Sequence, residues 1–454
     1  VIADYLDPAA CPIERPPLAD MAPATRSLHD AIDARIRDGG VPYLHPSEPT
    51  VQLDLFGSAG VIAWQESKAA ALFGDGCWAD LPHLYARYGT TITHRLARQL
   101  RALESATAVL LCDSGMQASA LVFDALMAPG AHAVLHRQVY NKTRTYLEWL
   151  AARLGGSVTI VDDGDHGALA DAIRADTRLV YCETYTNPLM RAQDLDAVPA
   201  AVRAARDRGA PVRLVVDSTI ATPWGVRAPL LDGGVDVVVA STTKAIGGQD
   251  RDLGGYVATR DLEVANQVMD LMAMRGGILD PRRAGAIADG LDDAASAHAV
   301  RCESATRIAA FLARHPRVGD VFHPSRPDHP DAVAIGRHYK RLGSIVSFRV
   351  RDADENQTRH VADVLATCIV PRYALSFDGP TTKVNHHRTV SEYFTPDDVL
   401  HRNGFDRLIR LAAGTEATDD VIACINWALH HAARISTDDL AAWRAARTAD
   451  LAIR

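Results

Sequence analysis

The chain has 454 residues, with 48 Lys and Arg against 56 Asp and Glu, and a net charge of −8. Apolar residues make up 48% and charged residues 23%, which excludes a disordered or collagen-like chain and predicts a soluble globular one. A mildly acidic chain has no general electrostatic reason to hold nucleic acid or an anionic membrane. No apolar stretch approaches the roughly 20 residues that a membrane helix needs.

The length suits two or three domains. Seven cysteines occur, at 11, 77, 112, 182, 302, 368 and 424, without a C-x-x-C pair. The odd count and wide spacing read as reduced thiols rather than a disulfide framework or a zinc site. Residues 1–17 lack a basic flank followed by an apolar core, so no signal peptide is visible and a cytoplasmic location is expected.

Residues 1 to about 75 are rich in Pro and Asp with little periodicity, and read as an arm with one or two short helices. Leu96, Leu100 and Leu103 sit at helical spacing. The run AVLLC at 108–112 predicts a buried strand. Helices are expected at 115–127, 142–154 and 198–208. Further strands are expected at 131–135, 158–161, 179–183, 214–216 and 235–240. Short apolar strands alternating with helices of this length indicate an α/β fold with a mainly parallel, doubly wound sheet. Such sheets bind ligands beyond the carboxyl ends of their strands.

A smaller α+β unit follows. Helices are expected near 301–314, 358–367 and 419–433, and strands at 345–350 and 408–412. The tail from 437 to 454 reads as an exposed amphipathic helix. The expected division is 1–75, 76–297 and 298–454.

No G-x-G-x-x-G and no P-loop occurs. The informative residues stand at the ends of predicted strands. Asp217 follows LVV, and Lys244 follows VVVA in the string STTK. Ser114, Gly115 and Met116 follow AVLLC and open a helix, while Glu183 and Asn187 follow LVYC. A buried lysine of lowered pKa can form a Schiff base with an aldehyde. A helix N-terminus offers N–H groups and a favourable dipole to a phosphate. Taken alone, each of these residues also has a plain structural reading as a loop, cap or packing residue. The adjacent histidines at 386–387 and 430–431 lack spaced carboxylates or cysteines and read as structural.

Taken together, the strings YARYGTT at 85–91, SGM at 114–116, ETYTNPLM at 183–190, VVDST at 215–219, STTK at 241–244 and LIRLAAGTE at 408–416 resemble the pyridoxal-phosphate enzymes of cysteine and methionine metabolism. The family includes cystathionine γ-synthase, the cystathionine lyases and methionine γ-lyase. The resemblance runs in order from about residue 85 to 433.

It implies an aspartate-aminotransferase-like fold, with 76–297 as the domain that binds pyridoxal 5′-phosphate. Lys244 matches the Schiff-base lysine and Asp217 the partner of the pyridine nitrogen. Tyr140 matches the tyrosine stacked on the ring and is the candidate acid for the leaving group. Gly115, Met116, Ser241 and Thr243 match the phosphate cup, and Tyr85 and Arg87 the pair that reaches a neighbouring subunit's phosphate. Arg410 matches the arginine that forks onto the substrate α-carboxylate, with Asn187 and Ser376 as lesser contacts. A homo-oligomer, a dimer of dimers, is thereby implied.

Three departures from the family's pattern stand out. Its S-L-G-G turn reads Ser376-Phe377-Asp378-Gly379. Asn141 and Lys142 replace the glycines after the tyrosine, and Ser218 replaces the Asn of D-N-T. The expected activity is γ-elimination or γ-replacement on a specialised γ-substituted L-amino acid. Alternatives are a β-lyase and a catalytically silent oligomeric homologue. Leu375 stands where relatives that handle cystathionine often carry a polar residue for its distal ammonium. Asp378 would offset that loss only if it points inward.

Overall fold

The computed structural model describes residues 18–37, 57–73 and 85–450. Cys11, Cys77, residues 1–17 and the last four residues of the expected tail helix lie outside the described residues.

The first sheet holds seven strands: β1 (Ala108–Cys112), β2 (His132–His136), β3 (Ser157–Val161), β4 (Thr177–Glu183), β5 (Arg213–Asp217), β6 (Val237–Ala240) and β7 (Gly255–Thr259). Their order is β1-β7-β6-β5-β4-β2-β3. β7 runs antiparallel to β1 and β6, and the other pairs are parallel. Successive side chains point to opposite faces. Val109, Leu111 and Val238 therefore enter one core with Leu96 and Leu100, while Leu110, Val237 and Val239 enter another with Leu121 and Val122. Both faces are covered, which is why these strands read as unbroken apolar runs.

β7 was not expected. It opens on Gly255, a weak strand former, yet that glycine is required. A Cβ there would lie 2.5 Å from the Ser114 carbonyl oxygen and 2.7 Å from Gly115 Cα.

The second sheet holds β8 (Val318–Phe322), β9 (Ile345–Val350), β10 (Arg372–Tyr373), β11 (Lys383–His386) and β12 (Ile409–Ala412), in the order β10-β11-β12-β9-β8. Only the β10–β11 pair is parallel. β11 reads KVNH, all four residues buried, so its polar sequence conceals a core strand.

The helix expected at 301–314 is Leu291–Leu312. Its first half carries Asp, Ser and His, which blur the apolar stripe. It spans both cores, with Leu291 packing in the first and Ile308 and Leu312 in that of the second sheet. The arm's helices, Pro23–Arg37 and Ser58–Phe73, are 15 and 16 residues long rather than short. Trp64 and Ala71 of the second dock into the core, and tertiary packing sustains a helix whose own stripe is weak. The tail forms a helix over Thr437–Asp450, docked through Leu440. No helix among the described residues is long and apolar enough to cross a membrane.

Candidate active site

Four polypeptide turns meet where parallel strands end. β1 leads through Ser114 into the helix Gly115–Leu126, and the Ser114 hydroxyl caps it by accepting the Gln117 N–H at 3.2 Å. β5 ends on Asp217 and β4 on Glu183, which the register places side by side. β6 leads into Ser241, Thr243 and Lys244. A cavity of about 520 Å³ opens between them.

Ten of the twelve expected site residues line this cavity: Gly115, Met116, Tyr140, Asn187, Asp217, Ser241, Thr243, Lys244, Ser376 and Arg410. Tyr85 and Arg87 are not brought to it. The Arg87 guanidinium lies over the Tyr85 ring at 4.6 Å and helps to line a separate hollow with Thr93 and Arg98.

The Lys244 amine donates to Ser376 Oγ at 2.5 Å. Burial pushes it below its ordinary range against the pull of Asp378, and Arg410 and Lys383 push the same way. It is therefore more readily a free amine than a surface lysine is. Lys244 and Arg410 flank the Phe377 ring, 5.1 and 5.9 Å from its centroid.

Arg410 is 2% exposed. Its Nη2 donates to the Leu375 and Ser376 carbonyls at 3.0 and 2.9 Å, and its Nε is buried with no hydrogen-bond partner among the described residues. Burial lowers the guanidinium to about 10, which leaves it protonated at neutral pH. A charged donor held in place with an unused N–H is suited to a carboxylate.

Asp217 Oδ1 accepts the Thr219 N–H at 2.8 Å, and Oδ2 accepts the Tyr181 hydroxyl at 3.1 Å. Burial raises its pKa, and these donors oppose the rise. Glu183 is raised well above the ordinary carboxyl range, first by burial and then by Asp217, and it accepts the Tyr140 N–H at 2.6 Å. With two donors against one, Asp217 is the member of the pair that keeps the charge. Tyr181 and Thr219 carry no role in the sequence reading. Thr219 was legible as part of VVDST, and its hydroxyl also accepts the Ser241 N–H at 2.9 Å. Tyr181 was hidden inside an apolar strand.

The Ser114–Gly115 backbone is wedged against Ser241, since a Cβ on Gly115 would lie 2.6 Å from Ser241 Cβ. Helix N–H groups and the Ser241 and Thr243 hydroxyls thus border one corner. A hydrogen-bonded carboxylate and a depressed amine face the same space. This donor set suits a phosphorylated cofactor with a basic ring nitrogen and an aldehyde.

Asp378 does not point inward. It is 2% exposed, accepts from Ser344 Oγ at 2.6 Å and lies 3.6 Å from Nε of the fully buried Arg301. Leu375, by contrast, lines the cavity with 75% of its surface exposed. Of the two histidine pairs, His386, His430 and His431 bond to neighbouring groups as structural residues do. His387 instead lines the cavity.

Comparison with known proteins shows what the chain is similar to. The model of the Cys/Met metabolism PLP-dependent enzymes matches residues 68–430. Cystathionine gamma-synthase 1, chloroplastic, of Arabidopsis thaliana is 33% identical over 347 residues, which are 76% of this chain and 60% of that protein, so the chain spans about three fifths of that relative's length. L-methionine gamma-lyase of Fusobacterium nucleatum subsp. nucleatum is 30% identical over 344 residues, 75% of this chain and 84% of that one. The crystal structure of cystathionine gamma synthase from Xanthomonas oryzae pv. oryzae superposes with a TM-score of 0.71 at 28% identity, covering 77% of this chain and 88% of that one. The family match covers most of the sequence and every strand of both sheets, and this chain belongs to the pyridoxal-phosphate-dependent enzymes of cysteine and methionine metabolism.

Proposed function

We propose that this protein carries out γ-elimination or γ-replacement on a small γ-substituted L-amino acid, such as an O-acyl or γ-halo compound, in preference to cystathionine. The observation that carries the reading is that Lys244, Asp217 and Arg410 face one cavity at the carboxyl ends of the strands. Pyridoxal phosphate, when bound, supplies an electron sink for the charge that develops when the substrate Cα loses its proton.

The chain's own residues do the rest. The Gly115 and Met116 N–H groups with Ser241 and Thr243 would hold the phosphate, Asp217 would pair with the ring nitrogen, and Tyr140 would stack on the ring. Lys244 would hold the cofactor through its aldehyde carbon, and its free amine would remove the substrate Cα proton; burial depresses its pKa, which makes it a more available base than a surface lysine. Arg410 holds the α-carboxylate with Asn187 and Ser376, which fixes the Cα–H toward Lys244. Tyr140 donates a proton to the departing γ-substituent.

Preference for a small uncharged side chain rests on the wall around Leu375. Leucine offers a distal ammonium no acceptor, and Asp378, the nearest carboxylate in sequence, is committed to Arg301 and Ser344. The reading includes a cytoplasmic dimer of dimers in which Tyr85 and Arg87 serve a neighbour's phosphate site. Their position off their own cavity and the five free described thiols are consistent with it.

Steady-state kinetics on cystathionine, O-acetyl-L-homoserine and a γ-halo amino acid test the proposal. The small substrates should show the higher kcat/KM. A value for cystathionine equal to or above theirs would remove the substrate preference, and a monomer that is fully active by sedimentation would remove the shared site.

A further inference from the structure

The cavity wall that faces the sheet across the pocket is built by the turn at 375–377, the short helix His387–Ser391 and the chain leading to Phe405. His387 opens that helix, its backbone N–H held by the Leu408 carbonyl at 2.9 Å. Its side chain is 1% exposed and meets the Phe405 ring edge-on at 5.3 Å. Neither ring nitrogen has a hydrogen-bond partner among the described residues.

The preceding residue is an internal control. His386 is equally buried, yet both of its nitrogens are engaged, by the Thr389 hydroxyl at 2.7 Å and the Asp406 carbonyl at 2.9 Å. A buried polar group left unpaired costs about 1–3 kcal/mol, so packing alone would be better served here by an apolar ring. Burial, then Arg410 and His386, hold the His387 imidazole well below its ordinary pKa. It is neutral, with one N–H donor and one nitrogen acceptor. Leu189, Val390 and Val399 add apolar surface to the lining of the same cavity, and Glu392 is engaged by the Thr395 hydroxyl.

We propose that His387 is a specificity determinant that hydrogen-bonds an uncharged oxygen on the substrate's side chain, an ester carbonyl or a hydroxyl. The assignment rests on the reading above, in which Arg410 anchors an L-amino acid in this cavity. A side chain of equal length ending in a methyl group leaves the imidazole unpaired. A site built to pair with an oxygen rejects such an analogue far more strongly than an apolar pocket rejects an added hydroxyl. An ammonium gains little, because the positive charge of Arg410 is close enough to depress the imidazole.

The test uses the full chain loaded with pyridoxal phosphate and two amino acids of matched size, L-homoserine and L-norvaline, which carries a methyl group in place of the hydroxyl. Dissociation constants are read from the change in visible absorbance. The wild type should favour L-homoserine by about tenfold or more. His387→Phe should bring the two within about twofold through loss of L-homoserine binding, with L-norvaline unchanged or tighter. His387→Asn, which keeps an N–H donor, should retain part of the preference. It also decides the matter if melting curves show that the Phe variant does not fold.

An unchanged preference in both variants, or an equal loss for both amino acids, overturns the assignment. In either case, a normal wild-type response leaves the amino-acid-binding reading standing. No absorbance response of the wild type to any amino acid removes that reading and the assignment with it.

Discussion

The two sides of the cavity are built on different principles. On the sheet side, Asp217, Ser241 and Lys244 stand at or just beyond the ends of β5 and β6, and polar atoms there are paired: Asp217 with Thr219 and Tyr181, Lys244 with Ser376 of the facing wall. On the opposite side, the segment from 375 to 405 is made of turns, short helices and the strand β11. It carries an exposed Leu375, with exposed Tyr393 and Phe394 nearby, and an unpaired His387. The difference teaches that the sheet side presents its polar groups from strand ends, while the groups proposed to choose a substrate sit on turns and a short helix of the facing wall. Loops positioned by a rigid core are where binding specificity is most readily varied.

The sharpest attempt to break this contrast is Lys244→Ala. It should lower kcat by about 10³-fold or more, and borohydride should no longer fix the cofactor to the chain. Finding the label on another lysine in the wild type would move the chemistry off the sheet. Next in size is Arg410→Lys, which loses the fork. A drop in kcat/KM of about 10²-fold, carried by KM with cofactor content unchanged, is expected. An unchanged KM would take Arg410 out of the substrate site.

A smaller effect is expected at Tyr181, which acts only through Asp217. Tyr181→Phe removes a donor that favours the charged carboxylate, so the Asp217 pKa rises. The acid limb of the kcat/KM profile should shift to higher pH, with a loss of about tenfold on that limb. A uniform loss at all pH values would indicate a packing defect instead.

Smallest of all is Glu183→Gln, read in stability. The folded-state pKa of Glu183 is raised by burial and by Asp217. The native chain therefore keeps a proton that the unfolded chain has lost, so this group's contribution is present below the ordinary carboxyl pKa. It fades as pH rises through the raised value. Glutamine keeps the acceptor for the Tyr140 N–H and does not titrate. The variant's Tm should gain on the wild type as pH rises from the ordinary carboxyl pKa through the raised one. A constant difference would show that Glu183 is already charged.

The same contrast separates what the sequence discloses from what it does not. β1 to β6 announce themselves as apolar runs, so the residues that follow them and line the sheet side of the cavity could be picked out one by one. β11 and the first half of the Leu291–Leu312 helix are not, because buried polar residues such as Asn385, His298 and Arg301 look like surface residues in a one-dimensional pattern. Asp378 shows the limit most plainly. Its position beside Ser376 suggests a pocket residue, but its partner Arg301 is distant in sequence and turns it away. His387 was legible only as one of two adjacent histidines. What distinguishes it from His386 is which ring finds partners, and that depends on the tertiary surroundings.

The contact between Gly115, Ser241 and Gly255 has a bearing on how this catalyst could be redesigned. Three segments interlock there with no space for one added carbon, so a library that varied these positions would consist mostly of misfolded clones. Substitutions at the exposed Leu375 or Phe394 meet no such barrier. Laboratory selection for new amino-acid substrates should therefore accumulate its changes along the outer wall, and the floor should persist as an unvaried platform through many rounds.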